Sequence, residues 1–144
     1  MKKFIFGVLF SASLSVSAQE NSLYVIGNNS GVPAQISFSQ LKSVFMGAQS
    51  NWGNGDKVII ALLKLNTPAG KNICDRLYGM SADQVTKHLL SISIKGTVEA
   101  PVFFNTAAEL RNFISATKGA IGVTSEPAAG NNAKAVSVDG KRSF

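Results

Sequence analysis

The fold is decided by the stretch VIIALLKLNTPAGK, residues 58–71. Its first eight residues are nearly all apolar, which is typical of a β-strand buried on both faces of a sheet. Thr67 follows as a good helix N-cap, and Pro68 stands at the first helical position, where its fixed φ is favourable. The stretch therefore predicts a buried strand that turns directly into a helix.

Strand and helix signals alternate along the rest of the chain. Three further capping patterns, at Ser37, Ser81 and Thr106, each precede apolar residues at helical spacing. Short β-rich runs bounded by turn residues predict strands at residues 23–26, 101–104, 120–123 and 135–138. This alternation predicts one α/β domain with a central mixed sheet flanked by about four helices.

The first 18 residues have the three parts of a secretory signal. Lys2 and Lys3 precede an apolar stretch, and Ala18 ends it as a small residue at the expected cleavage position. The stretch is shorter than the roughly 20 apolar residues that cross a bilayer, and no later segment is apolar enough to do so. We therefore expect residues 1–18 to be cleaved and residues 19–144 to form the exported domain, in the periplasm or secreted.

The charge of the chain argues against a nucleic-acid partner. Without residues 1–18, it carries 12 basic and 8 acidic residues, and the lysines are scattered singly. Nucleic-acid binding calls for a dense basic stripe or stacked aromatic residues. A moderate positive surplus favours small anions or an acidic surface as partners.

Catalytic and metal-binding residues are too few for an enzyme or a metalloprotein. Cys74 and His88 are the single cysteine and histidine. Cys74 falls on the apolar side of the helix that begins at Pro68, which is the ordinary place for a structural cysteine, and His88 is expected to be solvated. We therefore predict no catalytic residues, no metal and no cofactor.

Four short motifs, in order, resemble a known family. LKSVFMG at residues 41–47 is followed by Asn51 and Trp52, then by GAIGV at residues 119–123 and VSVDG at residues 136–140. Together they resemble one lobe of the type 2 periplasmic solute-binding proteins, in the phosphate-binding-protein-like group. The resemblance implies a solute-binding role, with phosphate as the default ligand and an association with ABC transport.

The chain departs from that family in two respects. A complete phosphate-binding protein has two lobes, and this sequence has the length of one. Where the family has a serine-glycine-threonine turn with an arginine nearby, this chain has Thr67, Pro68, Ala69, Gly70 and Lys71. Pro68 removes one backbone donor, and the arginine has no clear equivalent.

The turn formed by residues 67–71 is the best candidate site. The first turn of a helix exposes unpaired N–H groups and the positive end of the helix dipole, which favour an anion. Ligands of open α/β sheets bind beyond the strand ends. Thr67, Gly70 and Lys71 are therefore candidate anion contacts, although the same residues also fit a plain helix start.

Two further loops are weaker candidates. Asn28 and Ser30, after the first strand, are expected to reach the same edge of the sheet, where they could donate to ligand oxygens. Ser125 follows the 120–123 strand in the same way. The alternative for these loops is a plain surface turn. The alternative for the whole protein is a non-catalytic adaptor of the cell envelope, which has lost its ligand and binds an envelope partner or a second copy of itself.

Overall fold

The computed structural model describes residues 22–127 and 131–144, so the predicted signal lies outside the described residues. The described residues form six strands and four α-helices, and the predicted α/β class is confirmed. The strands are β1 (Tyr24–Asn28), β2 (Gln35–Ile36), β3 (Ile59–Leu63), β4 (Val102–Phe104), β5 (Ala120–Thr124) and β6 (Ala133–Val138). The helices are α1 (Phe38–Phe45), α2 (Pro68–Ile73), α3 (Ala82–Lys95) and α4 (Ala107–Ala116).

The four helices begin at the predicted cap residues. The side chains of Ser37, Thr67, Ser81 and Thr106 each accept a hydrogen bond from the backbone N–H three residues later. The helix predicted after Thr67 is not uniform, because α2 widens into a π-helical segment, Cys74–Tyr78.

The strands form one mixed sheet in the order β2-β6-β1-β5-β3-β4. β3 runs parallel to both β4 and β5, whereas β1 runs antiparallel to β5 and β6. The carboxyl ends of β3, β4 and β5 therefore lie at one edge of the sheet, and that of β1 lies at the opposite edge.

The sheet is covered on both faces, which gives three layers. At Gly122, in the centre of β5, a Cβ would lie 2.8 Å from Ile114 and 2.9 Å from Leu110, so the glycine lets α4 pack closely on this face. The neighbouring side chains Ile121 and Val123 point to the other face, and both are fully buried. The other face is therefore covered as well.

Trp52 and Leu90 lie in different environments. Trp52 closes one end of the core, and its indole N–H donates to the carbonyl of Gly119 at 2.8 Å. Leu90 is 60% exposed, because α3 buries Val85, Leu89 and Ile92 instead.

Candidate functional site

A cleft of about 470 Å³ opens at the carboxyl edge of the three parallel strands. It is lined by the start of α2, the start of α4 and the residues that follow β5. Because both helices leave the sheet at this edge, their N-terminal turns face the same space. The predicted site at Thr67 therefore lies in a cleft that a second helix start also lines.

Thr67 is engaged mainly in holding the start of α2. Its Oγ1 accepts a hydrogen bond from the Gly70 N–H at 3.0 Å and donates one to the Lys64 carbonyl at 2.6 Å. The single hydroxyl proton is used in this second bond. The side chain of Thr67 can thus serve a ligand as an acceptor, and the donors at this end of the cleft are backbone N–H groups.

Gly70 positions α2 against the strand that precedes it. A Cβ at this residue would lie 2.1 Å from the Lys64 carbonyl oxygen and 2.7 Å from the Leu65 Cα, so only glycine fits without a shift. Lys71 is exposed on α2 and is not among the residues that line the cleft. Gly70 therefore shapes the site, and Lys71 stands outside it.

Asn28 and Ser30 do not join this cleft, and the expectation that they share its edge is wrong. The physical reason is the antiparallel direction of β1, which carries their loop to the opposite edge of the sheet. The buried Asn28 side chain donates to the carbonyl of Ile114 at 2.7 Å and accepts from the Ser30 N–H at 2.8 Å. Its polar groups therefore tie β1 to the end of α4.

Ser30 belongs to a polar turn at that opposite edge. Its hydroxyl donates to the Asp56 carboxylate at 2.7 Å, and the Asn54 side chain donates to the same oxygen at 2.9 Å. These two hydrogen bonds, with a smaller effect from Lys118, hold the pKa of Asp56 below its usual value. The side chains of Ser30, Asn54 and Asp56 therefore hold this turn together through hydrogen bonds to one another.

Five polar residues complete the lining of the cleft, and only Ser125 among them is predicted from the sequence as a ligand contact. Thr106 is predicted only as a helix cap. For the others, the position after a strand end or a helix start was the available signal. The five are Asn72, Asn105, Thr106, Ser125 and Glu126.

The residues of the described lining carry hydroxyl, side-chain amide and carboxylate groups, the carboxylate being that of Glu126. This described lining includes no lysine or arginine. The Thr106 hydroxyl caps α4 by accepting from the Glu109 N–H at 3.2 Å. A bound solute would thus be held by dipoles and hydrogen bonds rather than by a direct ion pair.

Cys74 and His88 have structural environments. Cys74 is 1% exposed, as predicted, and its burial raises the pKa of the thiol. His88 was expected to be solvated, but it is half-buried, and its Nε2 lies 2.8 Å from the carbonyl oxygen of Met46. The imidazole thus links α3 to the end of α1. Within residues 22–127 and 131–144, no helix is long and apolar enough to cross a membrane.

No protein-family model matches the sequence, and no curated protein is significantly similar to it. Several solved structures share its fold, among them the following three. An ABC-type phosphate transport receptor from Vibrio cholerae superposes with a TM-score of 0.64 at 13% identity, over 85% of this chain and 48% of the receptor.

The other two structures have similar statistics. One is a phosphate ABC transporter substrate-binding protein from Clostridium perfringens, solved with bound phosphate. It superposes with a TM-score of 0.61 at 15% identity, and the match covers 83% of this chain and 46% of the Clostridium perfringens chain. The other is PstS from Borrelia burgdorferi, with a TM-score of 0.59 at 14% identity, over 83% of this chain and 48% of its own. The chain thus spans about half the length of the structures that it matches.

Proposed function

We propose that the chain is an exported, non-catalytic binding module, which holds a small oxyanion in the cleft between the starts of α2 and α4. Phosphate is the first ligand to test, and the periplasm is the proposed compartment. The observation that carries the proposal is the convergence of two helix starts on one cleft at the carboxyl edge of β3, β4 and β5. The shared fold with phosphate transport receptors supports the same class of function.

Backbone N–H groups supply the positive end of the proposed site. In each helix the first amides have no acceptor within the helix itself. In α2, Pro68 has no N–H and Gly70 donates to Thr67, which leaves the Ala69 N–H for a ligand. In α4 the Ala107 N–H lies at the first helical position, which Pro68 occupies in α2. Two such groups, aided by both helix dipoles, favour an oxyanion.

Glu126 sets the protonation state of the ligand that fits. A carboxylate repels a fully ionised anion, but it accepts a hydrogen bond from an oxyanion that keeps a proton. Phosphate keeps at least one proton near pH 7, whereas sulfate keeps none. The site is therefore expected to prefer phosphate over sulfate, with modest affinity because no lysine or arginine lies among the described lining residues.

Calorimetric titration of the folded protein with phosphate and with sulfate tests the proposal. Binding of phosphate at millimolar concentration or tighter, with weaker binding of sulfate, is the expected result. If circular dichroism confirms the fold and neither anion gives heat at millimolar concentration, oxyanion binding is refuted.

An interaction role is the second candidate, and a specific observation favours it. Leu90, Ile94 and Phe103 are the large apolar side chains exposed among the described residues. Such residues are typical of contact surfaces when they are adjacent. Light scattering across a concentration range distinguishes a self-associating adaptor from a monomer.

A further inference from the structure

The outer side of α3 carries an apolar pair that the described residues leave uncovered. Leu90 is 60% exposed and Ile94 is 77% exposed. Their spacing of four residues places them side by side on one helix face. With Lys87, Ser91 and Lys95 they line a shallow groove of about 350 Å³, and these five residues are called the α3 patch.

The charges of the α3 patch select the kind of partner. Lys87 and Lys95 bracket the apolar pair, and both are exposed. Asp83 is the only carboxylate of α3, and it lies in the first turn, about two helical turns from Leu90 and about three from Ile94. A complementary surface must therefore accept aliphatic side chains and carry negative charge beside them.

A second copy of the chain fits this surface poorly. Packing two α3 patches together would bring lysines of like charge close to one another. A stable protein interface also buries about 800 Å² on each partner, which is far more than two aliphatic side chains provide. A lipid surface has neither difficulty, because it can receive a few side chains while its anionic headgroups contact the lysines.

We propose that the α3 patch docks the protein reversibly on an anionic lipid bilayer. Leu90 and Ile94 enter the interfacial region, while Lys87 and Lys95 contact lipid phosphates through their long side chains. The proposal uses a surface separate from the cleft and does not depend on oxyanion binding.

Co-sedimentation with large vesicles tests the proposal. The protein is produced from its full sequence, and its N-terminus is established by mass spectrometry. We expect the protein to bind vesicles that contain phosphatidylglycerol, and to bind them more strongly than vesicles of pure phosphatidylcholine. This binding should weaken as the salt concentration rises from about 50 mM to about 500 mM. The double variant Leu90→Ser/Ile94→Ser is expected to bind about tenfold less, and Phe103→Ser, which removes an exposed side chain from β4, is expected to bind normally.

A fluorescence measurement makes the test independent of the N-terminal segment. The buried Cys74 is inaccessible, so an environment-sensitive dye can be placed selectively on Ser91→Cys. The control is Asn66→Cys, at an exposed position beyond the carboxyl end of β3. Anionic vesicles are expected to shift the emission of the first label to the blue and to leave the second unchanged. An unshifted label at residue 91, equal binding by the double variant, or dimerisation through Leu90 and Ile94 without vesicle binding would overturn the proposal.

Discussion

The side chain of Asn28 donates a hydrogen bond of 2.7 Å to the carbonyl of Ile114, 86 residues away in the sequence. The bond joins the end of β1 to the last turn of α4, where the Ile114 carbonyl also accepts a hydrogen bond from the Thr117 N–H at 3.3 Å. Asn28 is 5% exposed, so a residue first considered for ligand binding has a structural role.

Asn28→Ala is expected to lower the free energy of unfolding by about 1–3 kcal/mol, because it removes the hydrogen bond to the Ile114 carbonyl and the acceptor of the Ser30 N–H. Urea denaturation followed by circular dichroism measures the change. Asn29→Ala, at the adjacent exposed position, is the control and should change stability by less than about 0.5 kcal/mol. Equal stability of the two variants would refute a structural role for Asn28.

Gly70→Ala is expected to destabilise the protein by about 1–3 kcal/mol, because the new Cβ would lie 2.1 Å from the Lys64 carbonyl oxygen and force α2 away from the end of β3. Gly53→Ala is the matched control, since a Cβ there meets nothing within 4 Å. Thermal unfolding of both variants measures the difference. A Gly70→Ala protein as stable as the wild type would mean that α2 does not pack in this position.

The Ser30 hydroxyl is expected to control the titration of Asp56. Since the folded pKa of Asp56 is lowered, its contribution to stability is present above the unfolded pKa and is lost as the pH falls through the folded pKa. Ser30→Ala should raise the pKa of Asp56 toward its ordinary value, and its cost in stability should be larger near pH 7 than near pH 3. NMR titration and urea denaturation at both pH values check this, with the exposed Ser39→Ala as the control. An unchanged Asp56 titration would contradict it.

The thiol of Cys74 is expected to be inert in the folded protein, because burial both blocks access and raises its pKa. Reaction with a disulfide reagent at pH 8 should be at least about a hundredfold slower in buffer than in denaturant. A rapid reaction of the folded protein would show that the segment from Cys74 to Tyr78 opens readily.

Much of this architecture is readable from the sequence, because it depends on local signals. Thr67 and Ser81 each have a cap geometry that three or four neighbouring residues determine, and the apolar residues 58–65 predict the buried β3. The direction of β1 is not local, since it depends on pairing with β5 nearly 100 residues later. Because this long-range pairing places the end of β1 at the opposite edge of the sheet, Asn28 and Ser30 do not belong to the candidate site.

The cleft was only partly predictable for the same reason. Thr67 could be found as the start of a helix beyond a strand. Thr106 and Glu126 enter the site because β4 and β5 lie on either side of β3, which no local pattern reveals. Similarly, the inward face of α3 depends on how the helix is rotated against its neighbours, so spacing alone did not distinguish the buried Ile92 from the exposed Leu90.

Glu126 is expected to discriminate between oxyanions. Glu126→Gln replaces an obligatory acceptor with a side chain that can also donate, so it should weaken repulsion and bring sulfate affinity close to phosphate affinity. Calorimetric titration of the variant measures the ratio. Glu99→Gln removes an exposed carboxylate that pairs with Lys57 and should leave the ratio as in the wild type. If the two variants behave alike, Glu126 has no part in binding.

The central claim concerns the backbone amides at the two helix starts, and a phosphate titration followed by two-dimensional ¹H–¹⁵N NMR tests it most directly. The account predicts saturable shifts at the amides of Ala69, Ala107 and Ser125, with Ser30 at the far edge of the sheet unaffected. Shifts confined to the far edge, or no saturable shift at Ala69 and Ala107 up to millimolar phosphate, would contradict it.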